Sequence, residues 1–71
     1  MSLVADEIES HVKEAFEQSP IHGLRELQIE QNGTSILISG KVNSFYQKQL
    51  AQEVVRNINP LVQVINTIEV E

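Results

Sequence analysis

Apolar side chains recur at helical spacing near the start of the chain, between residues 3 and 18. The stripe consists of Val4, Ile8, Val12, Ala15 and Phe16. This period predicts a first helix from Leu3 to Gln18. Ser2 is its predicted N-cap. Ser19-Pro20 ends the helix, because the residue before a proline is disfavoured in the helical region.

The pattern changes to strict alternation after a connector, Ile21-His22-Gly23. Leu27 and Ile29 alternate with polar neighbours, which predicts a strand with one buried face. Asn32-Gly33 then predicts a hairpin turn, since both residue types tolerate positive φ. The return strand is predicted from Ser35 to Val42.

The return strand carries a glycine on its buried face. Ile36, Ile38 and Val42 share that face, and Gly40 takes the position between Ile38 and Val42. An inward glycine in a strand allows another element to approach closely. We expect that element to be a helix packed over the sheet.

A second helix follows, with Ser44 and Gln47 at the spacing of a capping box. Its predicted apolar stripe consists of Tyr46, Leu50, Val54 and Ile58, widened by Ala51 and Val55. Asn59-Pro60 ends it. The last segment, residues 61–70, is rich in β-branched residues and predicts a strand. The predicted inner face of this strand consists of Val62, Val64, Ile68 and Val70.

The element order is therefore α-β-β-α-β, and it predicts an α+β fold. A strand, a crossover helix and a further strand favour a right-handed connection between parallel strands, while the hairpin pairs its strands antiparallel. The expected architecture is a two-layer α/β sandwich with a three-stranded mixed sheet. Both helices pack on one face of the sheet, and the other face stays open.

Charge and composition narrow the function classes. The 71 residues carry a formal net charge of −5 and no cysteine. The basic residues, which are scattered among carboxylates, are Lys13, Arg25, Lys41, Lys48 and Arg56. This distribution predicts no nucleic-acid binding, because backbone recognition uses clustered cations. Two histidines are too few for a structural zinc site on their own.

The chain begins without the basic and hydrophobic segments of a signal peptide, and no apolar run approaches the length of a membrane span. As it stands, it is predicted to be cytoplasmic. It would be periplasmic or envelope-located if it were excised from a larger exported protein.

Four features together resemble the BON domain, a small bacterial module of osmotically inducible and nodulation proteins. They are the hairpin Asn32-Gly33, the strand Ile36-x-Ile38-x-Gly40-x-Val42, the helix with Leu50-Ala51 and Val54-Val55, and the ending Val64-Ile65-Asn66-x-Ile68-x-Val70. The resemblance covers residues 3–70 of a single predicted domain, 1–71. The two glycines stand one residue further apart than is usual in the family, so Thr34 is expected to lengthen the turn into a three-residue bulged loop.

The resemblance implies a non-enzymatic binding module without a cofactor, associated with phospholipid or with cell-envelope proteins. The alternative is a protein-interaction or self-association module that uses the open sheet face. The predicted members of that face are Gln28, Glu30, Ser35, Leu37, Ser39, Gln63, Ile65, Thr67 and Glu69. Leu37 and Ile65 form an apolar island in it, and Gln63 and Thr67 complete the candidate interaction surface.

A membrane contact would use different residues. Ile21, Leu24 and Phe45 stand at loop or helix-start positions, and Lys41 and Lys48 lie near the second helix. An apolar tip flanked by lysines suits a headgroup region. The competing interpretation is that the apolar members are loop anchors that face the core.

The remaining polar residues favour structural roles. His11 is spaced to pair with Glu7 on one helical turn, and His22 is a loop residue. Gly33 and Gly40 do not open a helix, so they do not form a phosphate loop. Gly33, Gly40, Ser44 and Asn66 are assigned structural roles, the last as a hydrogen-bonding residue at a bulge or sheet edge.

Overall fold

The structure, a computed structural model, describes the backbone of residues 5–71 and the side chains of residues 8–71. Its elements are α1 (Ala5–Glu17), a 3₁₀ helix (His22–Glu26), β1 (Gln28–Asn32), β2 (Ser35–Ser39), β3 (Lys41–Val42), α2 (Phe45–Ile58), β4 (Gln63–Asn66) and β5 (Glu69–Val70). The predicted cap Ser2, the predicted start Leu3 and the stripe residue Val4 lie outside the described residues. So does the side chain of Glu7, the predicted partner of His11.

The three longer strands form a mixed sheet in the order β1-β2-β4. β1 and β2 are antiparallel, with Glu30 opposite Leu37, and β2 and β4 are parallel, with Leu37 opposite Ile65. Both helices pack against the same face of this sheet through one shared core. The predicted α+β sandwich, with its α-β-β-α-β order, is therefore confirmed.

The predicted long strands are each divided. β2 ends before Gly40 and resumes as β3, and β4 ends at Asn66 and resumes as β5. The residue offset between partners is the same on both sides of the break, since Ser35 pairs with Gln63 and Lys41 with Glu69. The break thus falls at the same point of both strands, and neither strand contains an extra residue.

Backbone hydrogen bonds continue across this break in the two strands. The amides of Thr67, Glu69 and Glu71 donate to the carbonyl oxygens of Ile38, Gly40 and Val42 at 3.0, 2.9 and 2.9 Å. β1 does not extend this far, since its last pair is Gln28 with Ser39. The sheet is therefore three strands wide near the hairpin and two strands wide beyond Gly40.

The hairpin and Gly40 both differ from prediction. Asn32 pairs with Ser35, so the loop consists of Gly33 and Thr34 alone and is not a three-residue bulged loop. Only Gly33 takes positive φ there, at 62°.

The close neighbour of Gly40 is not a helix. A Cβ at Gly40 would lie 2.8 Å from Cδ2 of Leu27, in the segment that enters β1.

α2 begins where the capping residues predict. The Ser44 hydroxyl accepts a hydrogen bond from the Gln47 amide at 3.2 Å, and Gln47 Oε1 accepts one from the Asn43 amide, one residue before the cap. Its core-facing side is formed by Ala51 and Val55. Tyr46, predicted on the apolar stripe, is instead 68% exposed.

The core lies between the two layers. Its buried members are Val12, Phe16, Leu24, Ile36, Ile38, Val42, Ala51, Val55, Val62 and Ile68. Val64 packs against this cluster, whereas Val70, predicted to share its face, is 42% exposed. Val70 belongs to the two-stranded part of the sheet, which provides less cover than the three-stranded part.

Candidate functional site

The outer face of the sheet presents two rows of side chains that run across its three strands. One row is Glu30, Leu37 and Ile65, which the strand pairing places side by side. The next row is Asn32, Ser35 and Gln63, and the Ser35 hydroxyl lies 3.4 Å from Gln63 Oε1. The aliphatic pair is thus placed between polar neighbours.

These rows enclose a depression of 180 Å³. It is lined by Glu30, Asn32, Ser35, Leu37 and Ile65. Ile65 is 42% exposed, and Leu37 is half-buried. We call this the sheet-face depression. Gln63 adjoins it through Ser35, whereas the Thr67 hydroxyl donates to the Ile38 carbonyl at 2.8 Å and is held by the backbone.

The second candidate surface lies at the start of α2. Phe45 and Tyr46 are 67% and 68% exposed, and Lys48 lies three residues after Phe45, on the same side of the helix. Lys41 precedes the helix in β3, and its ammonium lies 3.6 Å from the Glu71 carboxylate. We call Phe45, Tyr46 and Lys48 the aromatic tip; Lys41 borders a separate depression together with His22, Glu26 and Glu71.

Two predicted membrane-contact residues do not lie at this tip surface. Leu24 is 1% exposed and belongs to the core, and Ile21 is half-buried and packs against it. The 3₁₀ helix turns Leu24 inward, so of the two interpretations the structure favours a core anchor for both residues. Phe45, Lys41 and Lys48 remain accessible to a partner.

Asn66 connects the end of β4 to α2. Its Nδ2 donates to the Lys48 carbonyl at 2.9 Å and to Gln52 Oε1 at 3.3 Å, and its Oδ1 accepts from the Ile68 amide at 3.2 Å. All three hydrogen bonds are internal to the domain, and they leave little of the amide to contact a ligand.

Sequence reasoning missed two residues of these surfaces. Asn32 was assigned to the turn, but its pairing with Ser35 makes it the last residue of β1, on the outer face. Tyr46 was assigned to the core stripe. The signal for Tyr46 was its position in the first turn of the helix, two residues after the N-cap Ser44.

Among residues 8–71 no group of three or more acidic or histidine side chains is arranged to hold a metal ion. His11 and His22 are both exposed. No helix in the described part of the chain is long and apolar enough to cross a membrane.

A two-layer α+β domain with an open sheet face and an exposed aromatic helix start has the form of a small binding domain. The family model for the BON domain matches residues 5–71. The chain therefore belongs to the BON domain family. No curated protein matches the chain.

Proposed function

We propose that this domain binds a phospholipid surface through its aromatic tip and catalyses no reaction. The observation that carries the proposal is the exposure of two adjacent aromatic side chains, Phe45 and Tyr46, in the first turn of α2. Family membership supports the same class of ligand.

The chemistry of the tip suits the boundary between headgroups and acyl chains. Phenylalanine contributes apolar area, and tyrosine combines an apolar ring with a polar hydroxyl, a combination common at membrane interfaces. Lys48 lies beside Phe45 and would add attraction to anionic headgroups, on the order of 1 kcal/mol for a lysine near the surface.

The net charge of −5 limits this attraction to the tip. The remainder of the domain is repelled by an anionic surface, so only an orientation with the tip forward is favourable. Salt should weaken the lysine contribution and leave the aromatic contribution largely unchanged.

Co-sedimentation with lipid vesicles tests the proposal. The probes are vesicles of phosphatidylcholine and mixed vesicles of phosphatidylcholine and phosphatidylglycerol. We expect the double variant Phe45→Ser/Tyr46→Ser to weaken binding to both by at least about tenfold, since it removes most of the apolar area that enters the interface.

Leu61 provides a matched control. It is 89% exposed and follows the opposite end of α2, so Leu61→Ser removes a similar exposed apolar side chain away from the tip. It should leave vesicle binding unchanged. Wild-type protein that binds neither vesicle at low salt, or equal losses in the two variants, would overturn the proposal.

A further inference from the structure

The sheet-face depression joins an aliphatic floor to an acidic, oxygen-rich rim. Leu37 and Ile65 form the floor, and Glu30, Asn32 and Ser35 supply a carboxylate, an amide and a hydroxyl. Its 180 Å³ corresponds to about six water molecules, each of about 30 Å³. That is close to the size of one long, unbranched side chain.

Among the described side chains, no lysine or arginine forms an ion pair with Glu30. The ion pairs among the described side chains join Lys13 to Glu9 and Lys41 to Glu71, and neither involves Glu30. The outer face of β1, β2 and β4 contains no lysine or arginine at all. A carboxylate therefore borders an apolar floor, and the lysine that follows on this face in β3, Lys41, is paired with Glu71.

We infer that the sheet-face depression receives a lysine side chain from a polypeptide partner. The methylene stem lies on Leu37 and Ile65, as long basic side chains commonly cover apolar surface. The ammonium group reaches the rim, where it has three donors for three oxygen-bearing side chains, Glu30, Asn32 and Ser35. Ser35 can accept this bond while its own proton is directed at Gln63.

A second copy of the chain is a poorer occupant. A two-fold contact through this face would bring the same surface, without basic residues, against itself. The Glu30 carboxylates would then lose water without gaining a cation, which is unfavourable.

A titration followed by amide chemical shifts tests the inference. The probe is an acetylated and amidated nonapeptide of threonine, serine and valine with one central lysine. A second peptide carries Nε-acetyl-lysine at the same position, which keeps the stem and removes the charge. We expect saturable shifts at the amides of Glu30, Leu37 and Ile65 with the lysine peptide.

Removing the charge from either partner, the peptide lysine or Glu30, should weaken binding. We expect acetylation to weaken binding by about fivefold, the upper range for a partly exposed ion pair. Glu30→Gln should weaken binding of the lysine peptide to the same extent, so that the variant binds the two peptides equally. The control Glu53→Gln, at an exposed position of α2, should preserve it.

Three results would overturn the inference. They are the absence of saturable shifts, discrimination that persists in Glu30→Gln, and a dimer in sedimentation equilibrium that Leu37→Asp dissociates. The double variant Phe45→Ser/Tyr46→Ser should still bind the lysine peptide more tightly than the acetyl-lysine peptide. The peptide test is therefore independent of lipid binding at the aromatic tip.

Discussion

Two glycines with positive φ serve different purposes at the residue scale. Gly33 has φ 62° and open space where a Cβ would stand, so only backbone conformation requires glycine there. Gly40 has φ 133°, and a Cβ would meet Leu27 at 2.8 Å for Cδ2 and 3.5 Å for the backbone Cα. Gly40 therefore combines backbone strain with a close contact.

This difference predicts an order of stabilities. Gly33→Ala should lower the free energy of unfolding by about 1–2 kcal/mol, the cost of positive φ for an L-residue. Gly40→Ala should lower it by about 2–4 kcal/mol, because the crowded Leu27 adds to the strain. Urea denaturation of both variants checks this. Equal losses would show that Leu27 moves aside without cost.

At the scale of elements, the second helix shows what periodicity can and cannot predict. Residues four apart drift by about 40° around a helix, so a stripe from Tyr46 to Ile58 turns through about 120°. One sheet face cannot cover that arc. Leu50, Val54 and Ile58 still pack against the core beside the fully buried Ala51 and Val55. Tyr46 lies at the end of the arc furthest from Ala51 and Val55, and it is exposed.

Alternation was a more reliable guide than turn or loop chemistry. The alternation of apolar and polar residues correctly placed Ile36 and Ile38 on the buried face and Leu37 on the outer face. Where helices cover only one face of a sheet, the apolar positions fix which side chains face inward. Leu24 had no such signal, because a single 3₁₀ turn is too short for a period. The hairpin was predicted at the correct place, but its loop is shorter than predicted, because Asn32 pairs with Ser35 and belongs to the strand.

The junction of β4 with α2 depends on the Asn66 amide. Asn66→Ala should lower the free energy of unfolding by about 2–3 kcal/mol, because it leaves the Ile68 amide and the Lys48 carbonyl without this partner. Asn66→Asp should cost at least as much, since a carboxylate cannot donate to the Lys48 carbonyl. Urea denaturation measures both, with Gln63→Ala at the exposed start of β4 as the control. A loss below about 0.5 kcal/mol for Asn66→Ala would contradict this role.

At the scale of the whole molecule, the sheet has a broad and a narrow half. Near the hairpin, β2 is paired on both sides, by β1 and by β4. Beyond Gly40, no third strand of the described chain pairs with β3 or β5, and Val70 is half-exposed at the end of β5. The narrow half shares the core only through Val42 and Ile68. Its local stability should therefore be lower.

Native-state hydrogen exchange provides the measurement. The amides of Glu69 and Glu71 donate within the narrow half, and the amide of Thr67 donates to Ile38, which β1 also flanks. We expect exchange at Glu69 and Glu71 to be at least about tenfold faster than at Thr67, because fewer contacts must open. Uniform protection of the three amides would show that the two halves open together.

The common register of the two paired strands on both sides of Gly40 also constrains how this domain can diverge in evolution. The residues paired between β2 and β4 and those paired between β3 and β5 are separated by the same number of residues along the chain. An insertion in either strand would therefore shift every later pair. A one-residue shift also moves buried side chains to the outer face. Changes of length are therefore tolerated in the connecting segments, such as the hairpin loop at Gly33-Thr34 and the segment between α2 and β4, whereas the two strands can change length only together.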